Sequence, residues 1–226
     1  MQLGTRSEVK QLLKKGLITV NGELVKKPEI KIDPDKDRVY FDKRELKYET
    51  YVYYLLNKPA GLVSATEDKR EKTVLDIFDK EDRRPDLFPV GRLDKNTVGL
   101  LLITNDGALS HKLLSPRHHV DKSYLVRVDK VIPPDTTEAF KNGLDIGDDK
   151  LTLPAKLEIT DHLEGKEAIV TIHEGRFHQI KRMFQACGME VIYLKRLSMG
   201  SLVLDENLPE GNYRRLTDKE LSDLKK

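Results

Sequence analysis

The stretch FPVGRLDKNTVGLLLITNDG, Phe88–Gly107, sets one acidic residue in a turn between two apolar segments. The run GLLLIT, Gly99–Thr104, has the length and composition of a buried strand, and the shorter FPV stands ahead of it. Asp94 lies in the turn between them, two positions after Arg92 and next to Lys95. An Asp in a turn has an ordinary explanation, a local ion pair or hydrogen bond that supports the bend. The rest of the chain decides between that reading and a chemical one.

Outward from this stretch the chain alternates short apolar runs with a few helical patterns. YVYYLLN, SYLVRV, AKLEIT, EAIVTI and EVIYLKRL read as further strands, and helices are expected near TVLDIFDK, GALSHKLL, DTTEAFKNG and FHQIKRMFQAC. Several neighbouring strands lack a helix of crossover length between them, so the expected class is α+β with a mixed, largely antiparallel central sheet. Taken as a helix, FHQIKRMFQAC places Phe177, Ile180, Met183, Phe184 and Cys187 on an apolar arc. Lys181 then lies at the edge of the arc, where its stem can run over packed surface and its charge enter a cleft, and Arg182 faces solvent or phosphate. Tyr124 shares a strand face with Val126 and Val128, and the pattern alone reads it as a core aromatic.

The composition is that of an ordinary globular protein: 226 residues with 38% hydrophobic content suffice for one large domain or a small one beside a medium one. A single cysteine, Cys187, excludes an intramolecular disulfide framework. No paired-Cys or HExxH spacing is present, and the adjacent His118 and His119 suit no common metal site, so no metal is expected. The apolar runs are too short to span a bilayer and no leader pattern opens the chain, so a soluble cytoplasmic protein without a membrane partner is expected.

The net charge of +2 is unevenly spread: residues 1–48 hold 12 Lys and Arg against 8 Asp and Glu, and the remainder 28 against 30. The basic end has its own organisation. Thr5 and Glu8 have capping-box spacing, Val9, Leu12 and Leu13 share a face, and Gly16 stands where a helix would end. LITVNGELV then places two strand-forming runs around Asn-Gly, a strong hairpin signal. Arg6, Lys10, Lys14 and Lys15 lie on the wetter side of the helix, and Lys26 and Lys27 follow the hairpin. The charged DPDKDRVYFDKREL leads to a boundary between domains 1–47 and 48–226.

TRSEVKQLLKKGLITVNGELVKKP resembles the small RNA-binding module named after a small-subunit ribosomal protein, the S-four type. A basic helix beside a hairpin offers cations to phosphates without reading bases. The module normally opens with a further helix ahead of the residues matching MQLGTRSEV, and the sequence starts at Met1, so weakened stability and RNA affinity are expected. The remainder resembles the RsuA-like family of bacterial rRNA pseudouridine synthases. LLNKPAGLVSAT, FPVGRLDKNTVGLLLITNDG, KSYLVRV and EGRFHQIKRMF occur in the family's order, with LPEGNYRRLTDKEL as a fifth segment. The HQ-x-KRMF form looks most like the branch acting on small-subunit rRNA. Val98 stands where the family more often has Ser or Thr.

The resemblance implies a pseudouridine synthase fold beside a small α/β RNA-binding module. It implies isomerisation of one uridine of 16S rRNA, uridine 516, in the small subunit or its assembly intermediate, by a cofactor-free monomer. Breaking a glycosidic bond develops positive charge on the sugar, which a carboxylate can stabilise. An isomerase should use one carboxylate and keep water away, which suits a solitary Asp between apolar segments. By this resemblance Asp94 is catalytic, Lys181 is its basic partner, and Tyr124 stacks on the base. Arg92 fills the space left by the flipped nucleotide or contacts it, and Gln179 and Arg182 bind substrate. A 23S rRNA substrate, a non-catalytic RNA-binding assembly factor and a glycoside-cleaving hydrolase using Asp94 remain as alternatives.

Overall fold

The computed structural model describes residues 4–34, 36–46, 49–115 and 118–226. At the N-terminal end, Thr5 N donates to Glu8 Oε2 (2.6 Å) and Glu8 N to Thr5 Oγ1 (3.4 Å), closing the capping box ahead of α1, Arg6–Lys14. Strands β1, Ile18–Val20, and β2, Glu23–Leu24, pair antiparallel around Asn21 (φ 51°) and Gly22 (φ 87°). Those two positive φ values are what a type I′ hairpin requires, hence Asn-Gly. With β3, Val39–Phe41, and β4, Arg44–Leu46, they form a sheet in the order β2-β1-β3-β4. Leu13, Ile18, Val20 and Val25 give this part a small core of its own.

The chain divides into two compact units, one running up to Tyr51 and taking in Asp79–Arg84, the other made of Val52–Phe78 and Pro85–Lys226. The expected cut between residues 47 and 48 lies outside the described residues. A single cut also does not anticipate Asp79–Arg84, six charged residues in a row with no apolar side chain to bury in a larger core. Arg84 Nη1 donates to the Glu49 carbonyl at 2.9 Å within the first unit.

The second unit is built on a nine-stranded sheet. Its strands are β5 (Tyr53–Lys58), β6 (Phe88–Pro89), β7 (Val98–Thr104), β8 (Lys122–Val128), β9 (Lys156–Ile159), β10 (Glu167–Ile172), β11 (Val191–Met199), β12 (Leu202–Val203) and β13 (Tyr213–Arg215). The order is β13-β5-β7-β11-β8-β10-β9, with β12 on β11 and β6 on β7. Every pairing is antiparallel except β7 with β11, so the sheet is mixed and largely antiparallel as the sequence implied. Leu101 and Ile103 face one core and Leu100 and Leu102 the other, which is why GLLLIT is apolar at every position rather than alternating. Gly99, at φ 97°, lets β7 reach β11, since a Cβ there would collide with the Arg196 backbone.

The helices of this unit are α2 (Gly107–Leu114), α3 (Thr136–Asn142), α4 (Gln179–Ala186) and α5 (Asp218–Lys225). Two expectations need correction. TVLDIFDK forms only one 3₁₀ turn, Val74–Ile77: Thr73 N donates to Asp76 Oδ2 (2.8 Å), and Phe78 leaves to stack on Tyr213 at 4.1 Å. FHQIKRMFQAC becomes helical only from Gln179, because His178 takes the left-handed conformation (φ 48°, ψ 32°). Phe177 is therefore not on the apolar arc; it is 76% exposed and stacks on the His178 ring at 3.8 Å.

Candidate active site

Asp94 occupies the turn between β6 and β7, and that turn is held by its backbone. Ser64 Oγ bonds both ends of Leu93, accepting from its N–H (3.0 Å) and donating to its carbonyl (2.9 Å). Thr97 N donates to the Asp94 carbonyl at 3.1 Å. From the end of β5, the buried Lys58 donates through Nζ to the carbonyls of Pro59 (3.0 Å), Lys95 (3.0 Å) and Thr97 (2.9 Å). Sequence reasoning passed over Lys58; its one signal was a lysine closing an apolar strand run, immediately before Pro59. Burial pushes its amine down to about 8, against the opposing pull of the Asp94 and Glu210 charges.

With the turn fixed from below, the Asp94 carboxylate is left to side-chain partners. Lys181 Nζ lies 2.8 Å from Oδ2, His178 Nε2 lies 3.4 Å from Oδ1, and Thr97 Oγ1 lies 3.5 Å from Oδ2. Lys181 comes from the first turn of α4, whose buried face carries Ile180, Met183 and Phe184. The helical pattern of FHQIKRMFQAC gives no sign of a role for His178, whose left-handed backbone ahead of α4 accompanies the approach of its ring to Asp94. A cavity of about 90 Å³ is lined by Arg92, Asp94, Tyr124, His178, Gln179 and Lys181 among others. An adjoining space of about 600 Å³ shares Arg92, Asp94, Tyr124 and His178.

The other expected residues are placed as follows. Tyr124 is buried on β8, in register with Arg196 on one side and Val170 on the other, and lines both spaces. Arg92 is exposed at their rim and makes no hydrogen bond or ion pair among the described residues. Gln179 is buried: its Oε1 accepts from Arg176 N (2.9 Å) and its Nε2 donates to Glu174 Oε1 (2.9 Å), so it braces the loop ahead of α4. Arg182 does not face open solvent. It forks onto Asp148 (2.7 and 3.1 Å) and donates to the Ile146 and Phe177 carbonyls, because the 144–151 segment folds back over α4. Arg182, with Arg176, holds the Asp148 carboxyl below its usual range.

In the first unit Arg6, Lys10, Lys14, Lys15, Lys26 and Lys27 are all exposed, and none is in an ion pair among the described residues. Arg6, Lys10 and Lys14 recur every four residues and form a stripe along α1. No helix of the described residues is long and apolar enough to cross a membrane.

Comparison with known proteins gives the geometry a context. A family model for RNA pseudouridylate synthases matches residues 52–186, and an S4 domain model matches residues 3–39. The ribosomal small subunit pseudouridine synthase A of Yersinia pestis is 42% identical over 224 residues, covering 98% of this chain and 93% of that protein. Its Escherichia coli counterpart is 41% identical over 206 residues, 91% and 87% of the two chains. An uncharacterized RNA pseudouridine synthase of Bacillus subtilis is 44% identical over 219 residues, 96% and 92%. A crystal structure of a pseudouridylate synthase superposes with a TM-score of 0.73 at 40% identity, covering 97% of this chain and 94% of that one.

Proposed function

The chain belongs to the RNA pseudouridylate synthase family, and we propose that the uridine it isomerises lies in 16S rRNA, at position 516, in the small subunit or its assembly intermediate. The relatives named for small-subunit rRNA span nearly the whole chain, which favours that RNA over 23S rRNA. In this reading the N-terminal module docks on RNA phosphates and residues from about 48 onward carry the chemistry, in a cytoplasmic monomer that needs no cofactor.

The observation that carries the reading is the single carboxylate of Asp94 held between Lys181 and His178 beside the buried Tyr124. The reaction breaks the bond between uracil N1 and ribose C1′, turns the base, and joins C5 to C1′. A proton leaves C5 and N1 gains one, so no atoms are added. Asp94 supplies negative charge where the sugar becomes positive, by attacking C1′ or by removing the C2′ proton. Lys181 offsets that charge when the cleft closes over RNA. Tyr124 offers a ring face to the extruded base, and its hydroxyl is free to pass a proton. Arg92, exposed at the rim and without a hydrogen bond or ion pair among the described residues, fills the place the flipped nucleotide leaves or contacts that nucleotide.

Mapping pseudouridine in rRNA from a strain lacking the gene tests this reading, with purified enzyme added back to the unmodified RNA. Loss and restoration of one pseudouridine in 16S rRNA supports it. Loss in 23S rRNA moves the substrate to the large subunit, and release of free uracil makes the protein a hydrolase. Restoration of the mark in cells by an Asp94→Asn gene, with none formed by the purified wild-type protein, would leave only an RNA-binding factor.

A further inference from the structure

Two cations are buried in the cleft without a carboxylate to answer them. Arg196 on β11 is 2% exposed; its Nε donates to the Leu100 carbonyl at 2.6 Å, and its Nη2 is buried with no partner. Lys122 on β8 is 8% exposed and donates only to the Val120 carbonyl (2.9 Å). Among the described residues, no acidic group lies within ion-pair distance of either. The acids nearby are engaged elsewhere: Asp121 with His173 Nδ1 (2.6 Å), Glu174 with Arg176 Nε (2.9 Å), Asp94 with Lys181.

Both cations line the 600 Å³ space that adjoins Asp94. In the register of β8 with β11, Arg196 stands directly across from Tyr124, and Lys122, two residues along, shares that face. A charge taken out of water without a partner is costly, so buried charges are normally paired or bind a ligand. Burial, and then the Arg196 charge, press the Lys122 amine below its ordinary range, against a weaker opposing pull from the Asp121 charge.

We propose that Arg196 and Lys122 form a phosphate site that grips one phosphodiester of the RNA immediately flanking the target uridine. The inference rests on reading the Asp94 cleft as the uridine site. Arg196 supplies a guanidinium edge suited to two phosphate oxygens, and Lys122 a point charge beside it. Because both lie next to Tyr124 on one sheet face, the phosphate is anchored within one nucleotide of the base, and the backbone is held while the base turns.

The test is a set of short synthetic RNAs around one central uridine, each with a single phosphate replaced by a neutral methylphosphonate. Binding is measured with wild-type protein, Arg196→Gln and Lys122→Met. One linkage next to the uridine should cost wild type about tenfold in affinity and each variant less than about twofold. The free Arg196→Gln protein should melt no lower than wild type, since an unpaired buried charge has been removed. Uniform loss at every linkage with a lowered melting temperature, or no linkage that separates wild type from the variants, overturns the proposal. If Arg196→Gln does not fold, Arg196→Lys with Lys122→Met decides: Lys122→Met must lose the same linkage and Arg196→Lys must partly keep it. Pseudouridine formation by wild type on the unmodified RNA is scored separately. Its absence counts against the substrate reading, whereas the linkage pattern, a binding measurement, decides the phosphate site.

Discussion

Lys181 Nζ sits 2.8 Å from Asp94 Oδ2, joining the first turn of α4 to the turn ahead of β7. Both side chains are about a quarter to a third exposed, so the pair stands at the edge of water rather than within the core. Such a pair adds little to stability, and in the proposed mechanism its worth lies in placing a charge where RNA covers the cleft. Lys181→Met, which keeps most of the stem, should lower the single-turnover rate of pseudouridine formation by at least about a hundredfold with RNA affinity little changed. Lys181→Arg should retain part of the rate, since the charge survives in a different shape. Wild-type turnover by Lys181→Met would take the ion pair out of the mechanism.

Asp94→Asn keeps the shape of the side chain and removes its charge. Pseudouridine formation should fall below detection, with RNA affinity within about threefold of wild type in a filter-binding assay. Residual turnover near the wild-type rate would exclude Asp94 as the reacting group.

Lys58 carries its charge beneath Asp94 and loses it near pH 8. The activity of wild type should therefore decline as pH rises through about 8, whereas Lys58→Met should start lower and lack that limb. Stability moves the other way. The amine binds its proton less tightly when folded than its ordinary 10.5, so between about 8 and 10.5 the unfolded chain holds more protons and folding gains with rising pH. Urea melts at pH 8 and pH 10 should show that gain in wild type and its loss in Lys58→Met. The variant should also be less stable throughout, by about 1–3 kcal/mol, for three carbonyls left without their donor.

Arg214 ties β13 to α5 and to the loop before it, donating to Glu220 (2.9 and 2.8 Å) and Asp205 (2.8 Å). Its hydrogen bonds draw the Glu220 carboxyl down to about 2, below the ordinary 4.5. The stabilisation is present above pH 4.5 and is lost as pH falls toward 2. Glu220→Gln should flatten the acid limb of a melting-temperature profile in that window. An unchanged limb would show that the cluster does not set acid stability.

The six exposed cations of the N-terminal module should make RNA binding fall steeply with salt, because each neutralised phosphate releases counterions. Reversing the charge of Lys10 and Lys14 should flatten the plot of log affinity against log salt by about two units of slope. An unchanged slope would place RNA binding elsewhere on the chain.

Much of the fold was legible in the sequence because its determinants are local. Thr5 and Glu8 close a capping box within one turn, Asn21-Gly22 imposes its own hairpin, and GLLLIT cannot be solvated on either face. Asp94 stood out as a lone carboxylate between segments that bury, but the pattern alone fits an ordinary turn Asp and only the family resemblance implied a chemical role for it. Of its environment, the resemblance implied Lys181, Tyr124 and Arg92, and the rest had little local signal. Lys58, Lys122 and Arg196 belong to a class that normally lies at the surface, and only the stacking of β5, β7, β11 and β8 encloses them. His178 reads as helical until its backbone turns left-handed, and Arg182 reads as solvent-facing until the 144–151 segment folds over it. Sequence by itself settled which segments would bury and which carboxylate stood alone among them. Tertiary structure decided which cations lost their water and met that carboxylate, because burial and charge pairing depend on residues brought together from distant parts of the chain.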